Sequence, residues 1–328
     1  MTARGWLLFS VMGVLWGIPY LMIKVAVDSD LTPSMVVFTR CALGAALLLP
    51  FAMRQGGMPA VLRTHWRPML VFACVEILGP WWTLTDAERH LSSSTAGLLI
   101  AAVPIIGALL ARFFGDTERL GPRRVTGLAL GFAGVAVLTV PHLTGGNAWS
   151  LTEVLLTALG YAIAPLIVAR HLKDVPTLQL IAPCLTLAAL VYAPAAAATW
   201  PDTLPDGRTL AALAGLGVIC TALAFIVFLE LIREAGPTRA VVFTYINPAV
   251  AAAAGFAFLS ESLTATFAAA FTLILAGSFL ATAATGTRPT PRRVPWSTRQ
   301  TSRADGRVKT PSGALPEERP GSTGQGGG

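Results

Sequence analysis

Charged residues are scarce in this chain. Asp, Glu, Lys and Arg make up 12% of its 328 residues and hydrophobic residues make up 54%, whereas soluble domains contain about 25% charged residues. A water-soluble globule of this size needs more charge than this to cover its surface. The composition therefore excludes that class of protein.

The chain also lacks the patterns of disulfide frameworks, metal sites and ATP-driven enzymes. Its four cysteines each lie inside a long apolar run, and no two are spaced as metal ligands. Neither a G-x-x-x-x-G-K-[ST] phosphate loop nor an H-E-x-x-H zinc motif occurs. We therefore expect no metal, no cofactor and no enzymatic activity.

The net charge of +7 is concentrated at the carboxyl end. The segment 286–328 holds eight basic and three acidic side chains, whereas the segment 1–285 holds 16 and 14. The carboxyl-terminal segment is rich in Pro, Gly, Ser and Thr, so we predict a disordered, basic, cytoplasmic tail. Its first arginines are placed to contact anionic membrane lipid. A charge confined to a tail gives no support for nucleic-acid binding.

Ten apolar runs are long enough to cross a membrane, which takes about 20 mostly apolar residues. They lack the alternation typical of barrel strands, so helices must satisfy the backbone hydrogen bonds. The sequence therefore predicts an all-α membrane protein with ten transmembrane helices. We number the runs spans 1 to 10: 5–27, 34–53, 67–85, 93–114, 121–140, 150–169, 176–197, 209–231, 237–259 and 265–285.

The basic residues predict the orientation of these spans. With the amino terminus in the cytoplasm, 12 of the Lys and Arg side chains in segment 1–285 fall on the inner side and four on the outer side. Cytoplasmic loops of membrane proteins carry this excess. We therefore expect a multi-pass protein of the cell (inner) membrane with both termini in the cytoplasm.

The chain aligns with itself when position numbers are shifted by 144, or by 143 in places. Two halves of five spans result, 1–143 and 144–285. Because five is odd, the second half must enter the membrane from the opposite side, which gives the inverted repeats of secondary transporters. The aligned pairs are Pro50 and Pro194, Arg89 and Arg233, Ala96 and Ala240, Pro104 and Pro248, Glu118 and Glu261, and Gly134 and Gly277.

The repeated motifs resemble a known family. The first half reads Ser94-Thr95-Ala96-Gly97-Leu98-Leu99 through Pro104 to Glu118-Arg119-Leu120, and the second reads Pro237-Thr238-Arg239-Ala240 through Asn247-Pro248 to Glu261-Ser262-Leu263. This pattern, with Leu15-Trp16-Gly17 in span 1, is similar to the EamA-type family of the drug/metabolite transporter superfamily. The resemblance extends over both halves, 1–285. Departures are an insertion in Gly115-Asp116-Thr117-Glu118 and Leu159-Gly160-Tyr161 where the family often has Trp-Ala.

The resemblance implies a secondary transporter of a small organic metabolite, amino acid or drug-like compound. It implies export by alternating access, driven by a proton or another gradient. An uptake permease of the same fold is the alternative, and so is a membrane sensor or structural subunit that transports nothing.

Two prolines related by the repeat, Pro104 and Pro248, fall near the middle of spans 4 and 9. A proline there removes a backbone hydrogen bond, and in a membrane the freed carbonyl needs another partner or water. The resemblance places these spans around the central cavity. We expect the pair to bend the helices at that cavity, although prolines are also common in membrane helices generally.

Two ionisable residues are predicted to lie near mid-membrane, where a charge costs about 2.5–3.5 kcal/mol. Glu76 lies at the midpoint of span 3, and Arg40 lies at a similar depth in span 2. We expect them to face each other across the cavity. Either they form a fixed salt bridge, or one of them acts in transport: Glu76 exchanges a proton, or Arg40 binds an anionic substrate group.

Other polar and aromatic residues near mid-depth complete the candidate substrate cavity. Asn247 either covers backbone groups that Pro248 leaves open or binds the substrate. Trp81 and Trp82 are assigned instead to an interfacial aromatic belt, and Glu88 to solvent at a helix end. The remaining cavity candidates are Trp16, Tyr20, Tyr161, Thr221, Thr244 and Tyr245.

Span 5 carries a face of small residues formed by Gly127, Gly131 and Gly134. Such a face lets another helix approach closely. It packs either within the monomer or across a homodimer.

Overall fold

A computed structural model describes residues 2–113, 121–144, 148–235 and 246–282. Each of the ten predicted spans contains helix within these residues. Thr244 and Tyr245 lie outside the described residues, as do Glu118 and the tail after Thr282.

The helices follow the predicted spans, although several spans consist of more than one segment. Spans 1 to 5 are Ala3–Leu15 with Pro19–Val27, Pro33–Arg54, Met58–Ala87, Ser93–Ile100 with Val103–Phe113, and Pro122–Thr144. Spans 6 to 10 are Ala148–Leu172, Thr177–Ala198, Gly207–Ala235, Asn247–Leu259 and Ala265–Thr282. Three of these helices contain π-helical segments, at Ala73–Leu78, Val168–Leu172 and Gly215–Leu223.

Six helices in the described part of the chain are long and apolar enough to cross a membrane: those of spans 1, 2, 3, 6, 7 and 8. Shorter apolar helices occupy spans 4, 5, 9 and 10. The chain is therefore a multi-pass helical membrane protein. That all ten spans cross the membrane stays a prediction.

Polar side chains fix where several helices begin. Thr32, Ser92 and Asp206 each accept a hydrogen bond from the backbone N–H three residues later. Such a cap satisfies one of the donors that the first turn leaves open. The Asp206 carboxylate is exposed, and its hydrogen bonds from Thr209 lower its pKa. A charged cap of this kind stays in water while the helix enters the apolar region.

The helices are interrupted at several places, and one interruption recurs in both halves. Trp16–Ile18 breaks span 1 before Pro19, and Ala101–Ala102 breaks span 4 before Val103. The π-helical segment of span 3, Ala73–Leu78, falls inside Gly215–Leu223 of span 8 when the two halves are aligned. Interruptions of this type occur in membrane helices where backbone groups line a cavity.

Within the described residues, Pro104 and Pro248 lie at the start of a helix and not in its middle, so the predicted bend of the pair stays a prediction. Each is the second residue of a helix, in Val103–Phe113 and Asn247–Leu259. A proline in the first turn removes no helical hydrogen bond, because the N–H there has no partner within the helix. In span 4 the proline therefore begins a second helical segment after a break. In span 9 the described helix begins at Asn247, so only this segment can be compared.

Helix pairs recur when each span is exchanged for its counterpart five spans away. Spans 5 and 10, 2 and 7, and 4 and 9 pack together, and each of these pairs is its own counterpart. The packing of span 3 on span 6 is matched by that of span 8 on span 1. Likewise, span 2 packs on span 8, and span 7 packs on span 3.

The small-residue face of span 5 packs within the monomer, against span 10. A Cβ added at Gly277 would lie 2.6 Å from both the Gly131 Cα and the Gly127 carbonyl oxygen. One added at Gly134 would lie 2.7 Å from Ile274 Cγ1. The two backbones therefore approach too closely for larger side chains.

Contacts between chain segments fall into two groups, one at each end of the bundle. Loops after spans 1, 3, 7 and 9 contribute to the first group, and the Thr32 hydroxyl lies 2.9 Å from that of Thr199. The second group joins the amino terminus to the end of span 8, where Arg4 pairs with Glu230 at 2.8 Å. It also includes a 2.6 Å hydrogen bond from Gln179 Nε2 to the Gly56 carbonyl.

Replacing Gly277 with alanine should destabilise the protein by about 1–3 kcal/mol, because the added methyl group overpacks the contact with span 5. A lower thermal unfolding midpoint in detergent would show this. Gly107→Ala is the matched control, since no atom lies within 4 Å of its added Cβ. An equal effect of both substitutions would contradict the close packing of spans 5 and 10.

Candidate functional site

Arg40 is the centre of a polar cluster inside the bundle. It belongs to span 2, and only 7% of the residue is exposed. Its Nε donates a 2.9 Å hydrogen bond to Thr221 Oγ1, and its guanidinium carbon lies 3.6 Å from the centroid of the Trp81 ring. A cation over an indole face is stabilised electrostatically, and the more so when water is excluded. These two contacts fix the orientation of the guanidinium group.

Glu76 interacts with Arg40 through its charge but does not form the predicted salt bridge. No acidic side chain of the described residues forms an ion pair with Arg40. Glu76 interacts electrostatically with the Arg40 guanidinium at a distance longer than that of a salt bridge. Glu76 lies deep in the protein, yet part of its surface remains accessible. A direct Glu76–Arg40 contact is therefore wrong for this conformation.

Two tyrosines lie within the electrostatic field of the same arginine. Tyr20, in the second helical segment of span 1, is 5% exposed, and Tyr161 of span 6 is partly exposed. Both hydroxyl groups interact with Arg40, and that of Tyr161 also interacts with Glu76. Tyr20 and Tyr161 therefore belong to the cluster, and that they line a substrate cavity stays a prediction.

Trp16 lies at the edge of the cluster. It occupies the break in span 1, and its ring contacts those of Phe225 at 5.6 Å and Phe228 at 5.1 Å, both in span 8. These are ordinary aromatic pairs. Trp16 thus forms an apolar wall between spans 1 and 8.

Thr221 is positioned by the π-helical segment of span 8. Its hydroxyl donates a 2.8 Å hydrogen bond to the Leu216 carbonyl and accepts the one from Arg40 Nε. Leu216 precedes Thr221 by five residues, which is the π-helical spacing. The irregular backbone therefore both orients the hydroxyl and is satisfied by it.

Asn247 begins the described helix of span 9 and is 8% exposed. Its Oδ1 atom is buried and accepts no hydrogen bond from any described residue. The carbonyl that Pro248 leaves open is that of residue 244, outside the described residues, so both alternatives for Asn247 stay predictions. A buried acceptor without a donor costs about 1–3 kcal/mol, and a bound molecule with an N–H or O–H group would remove that cost.

Trp81 also belongs to the cluster, although its place in the sequence predicted an interfacial belt. This residue is 5% exposed and lies under Arg40, so that prediction is wrong. Pro80 has no N–H, so the Glu76 carbonyl lacks its α-helical donor. The N–H of the preceding residue, Gly79, bonds the Cys74 carbonyl five residues back rather than the carbonyl four residues back. This wider turn changes which side chains share a face. The proline four residues after Glu76 was the signal that could have indicated it.

A second polar group closes the end of the bundle that contains the loops after spans 1, 3, 7 and 9. The Glu261 carboxylate accepts hydrogen bonds from the backbone N–H groups of Ser93 and Ser94 at 2.7 and 3.0 Å. Both serine hydroxyls also donate to it. A carboxylate at a helix N-terminus is favoured by the helix dipole. Glu261 of the second half thus caps span 4 of the first half.

The fold and this cluster define a class of protein. Interrupted membrane helices surround an accessible carboxylate and a buried, oriented arginine, which is an arrangement typical of membrane transporters. The family model for the EamA-like transporter family matches residues 3–140 and again residues 148–283. The chain belongs to this family.

Individual relatives of this chain are also named as transporters. The uncharacterized inner membrane transporter YedA of Escherichia coli K12 is 26% identical over 254 residues, covering 76% of this chain and 81% of the relative. An uncharacterized transporter of Archaeoglobus fulgidus is 23% identical over 290 residues, covering 86% and 99%. A solved crystal structure of a protein superposes with a TM-score of 0.62 at 20% identity, covering 86% of this chain and 98% of that one. This last similarity concerns the fold alone.

Thr221→Val should destabilise the protein by about 1–3 kcal/mol, because it keeps the side-chain shape but leaves the buried Arg40 Nε without its acceptor. The thermal unfolding midpoint in detergent measures this loss. Thr221→Ser keeps the hydroxyl and should cost less, on the order of the 0.8 kcal/mol of one buried methyl group. Equal losses for valine and serine would show that the hydrogen bond contributes nothing.

Proposed function

We propose that this protein is a secondary transporter that exports a small organic molecule across the inner membrane by alternating access. One observation carries the proposal: Arg40 is buried and held in place, yet no carboxylate of the described residues pairs with it. An unpaired charge inside a membrane protein is costly, and such residues mark substrate or ion pathways.

The substrate carries an anionic group in this proposal. The Nε side of the Arg40 guanidinium faces Thr221, and its flat face covers Trp81. The terminal nitrogens then present the planar donor geometry that matches a carboxylate or phosphate. The aromatic side chains of Trp81, Tyr20 and Tyr161 suit an apolar portion of the same molecule. The Asn247 Oδ1 atom accepts from a donor group on it.

The pairing of spans supports an inverted repeat as the basis of alternating access. Every pair of spans named above recurs when each span is exchanged for its counterpart, as two halves related by an in-plane axis require. Two such halves can exchange conformations, so one sequence supports outward-open and inward-open states of similar energy. The segments 1–143 and 144–285 are the two halves in this proposal. A proton or substrate gradient supplies the driving force.

Cysteine labelling tests the inverted topology. Gln55 and Asp202 are exposed residues in the loops after spans 2 and 7, which are counterparts. In a variant without the four native cysteines, Asp202→Cys should react with a membrane-impermeant maleimide added to spheroplasts. Gln55→Cys should react only after lysis. Reaction of both from the same side would contradict the inverted arrangement.

Flux measurements test the transport function. Proteoliposomes holding the purified protein, screened against a panel of small organic metabolites with an imposed pH gradient, should show saturable flux for molecules that carry an anionic group. Arg40→Gln should reduce that flux at low substrate concentration at least ~10-fold, equivalent to about 1.4 kcal/mol of lost binding. Arg40→Lys should show more flux than Arg40→Gln but less than the parent protein, because lysine keeps the charge and lacks the planar donor pair.

Arg63→Gln is the matched control, because Arg63 is an exposed arginine remote from the cluster. It should leave the flux unchanged. Saturable flux that is insensitive to Arg40→Gln would remove Arg40 from the substrate site. No saturable flux for any member of the panel would contradict the transport function.

A further inference from the structure

Glu88 is a buried carboxylate, so the prediction that it lies in solvent is wrong. It follows the last residue of the helix Gly79–Ala87. The residue is 0% exposed, and neither Oε1 nor Oε2 accepts a hydrogen bond from a described residue. An ionised carboxylate in this position has lost its water and gained no donor, which is the most costly way to bury a charge.

The nearest cation does not neutralise this carboxylate. Lys24 Nζ donates a 2.9 Å hydrogen bond to the backbone carbonyl of Glu88, not to its side chain. The same ammonium group pairs with the Asp28 carboxylate at 2.8 Å. Lys24 is therefore shared between a carbonyl and a different acid, and Glu88 retains an uncompensated carboxyl group.

The groups that face Glu88 come from several packed elements. Span 1 contributes Lys24, Asp28 and Tyr20, and Arg40 of span 2 acts from farther away. Tyr161 of span 6 and Glu261, in the loop after span 9, also interact with it. On its own segment Asp86 pairs with Arg89 at 3.3 Å. Burial raises the pKa of Glu88 well above its usual range, Lys24 lowers it, and Glu261 and Asp28 raise it further.

We infer that Glu88 is a proton-binding site, and that it must hold a proton for the outer end of the transporter to close. Here the outer end is the end that contains the loops after spans 1, 3, 7 and 9. The inference rests on the proposed function and adds to it control of the outer end by external pH. Closure removes Glu88 from water, and only the neutral carboxyl group can be buried there without a donor.

The contacts around Glu88 explain how its protonation is linked to closure. Lys24 joins the end of span 1 to the end of span 3, and Glu261 joins the loop after span 9 to the start of span 4. Opening this end separates such contacts and lets water reach Glu88, which then releases its proton to the outside. Because the closed state binds one more proton than the open state, low external pH favours closure and high external pH favours opening.

Infrared spectroscopy tests proton binding without any substrate. At neutral pH the full-length protein should show the carbonyl stretching band of a protonated carboxylic acid, and Glu88→Gln should lose part of that band. Glu76→Gln is the matched control on the same span, and it must leave the component from Glu88 in place. A Glu88→Gln spectrum with an unchanged band would overturn the inference.

Distance measurements test the link to closure. Spin labels at Arg89→Cys and Leu263→Cys, both exposed, report the separation of the loops after spans 3 and 9 in a variant without native cysteines. Raising the pH should increase the population with the longer distance by several fold. Glu88→Gln should keep the shorter distance at every pH, because glutamine resembles the protonated acid. A pH response that is absent in the parent or unchanged in Glu88→Gln overturns the inference.

If Glu88→Gln does not fold, Glu88→Asp decides the matter. Its shorter carboxyl still titrates, so the pH midpoint of the distance change must shift, and an unchanged midpoint overturns the inference. These two measurements need no substrate. A negative flux screen would therefore remove the transport function while the infrared band and the distances still decide the role of Glu88.

Discussion

The structure depends on one constraint of the lipid environment: every backbone N–H and carbonyl inside the membrane must find a partner within the protein. Regular helices meet this constraint along most of the chain, so the places where they are interrupted are few and specific. The break at Trp16–Ile18 and the π-helical segments around Glu76 and Thr221 all lie beside the polar cluster. At these three places irregular backbone lies beside polar side chains of the cluster, and the Thr221 hydroxyl satisfies the Leu216 carbonyl there.

The two halves share the arrangement of their helices, whereas the polar site results from sequence differences between them. When the two halves are aligned, Arg40, Glu76 and Trp81 of the first correspond to Cys184, Cys220 and Phe225 of the second. The glycine contacts between spans 5 and 10 are shared by both halves, whereas both charged residues of the cluster, Arg40 and Glu76, come from the first. A ligand in the centre would therefore meet both charges on one side and uncharged side chains, among them Thr221 and Tyr161, on the other. Such a site suits a molecule with an anionic group and an apolar part.

Much of the fold could be predicted from the sequence because membrane helices leave strong local signals. The helices follow the predicted spans, and Arg40, Tyr20, Tyr161 and Thr221 do come together. The contact that orients Arg40 could not be predicted, since it depends on a π-helical turn that moves Trp81 onto the face of the cluster. The burial of Glu88 could not be predicted for a related reason. Its position at a helix end indicated solvent, but the segments that cover it come from distant parts of the chain.

Glu76 in span 3 and Glu88 just after this span show how the surroundings of a carboxylate determine its properties. Glu76 is partly accessible and has the positive charge of Arg40 nearby. Glu88 has neither accessible surface nor a donor for its oxygens, although a lysine lies beside its backbone. The free energy of burying a carboxylate depends on water and on donors more than on the distance to a cation. In the proposed closure, the group that changes its protonation is the one whose access to water changes, which is Glu88.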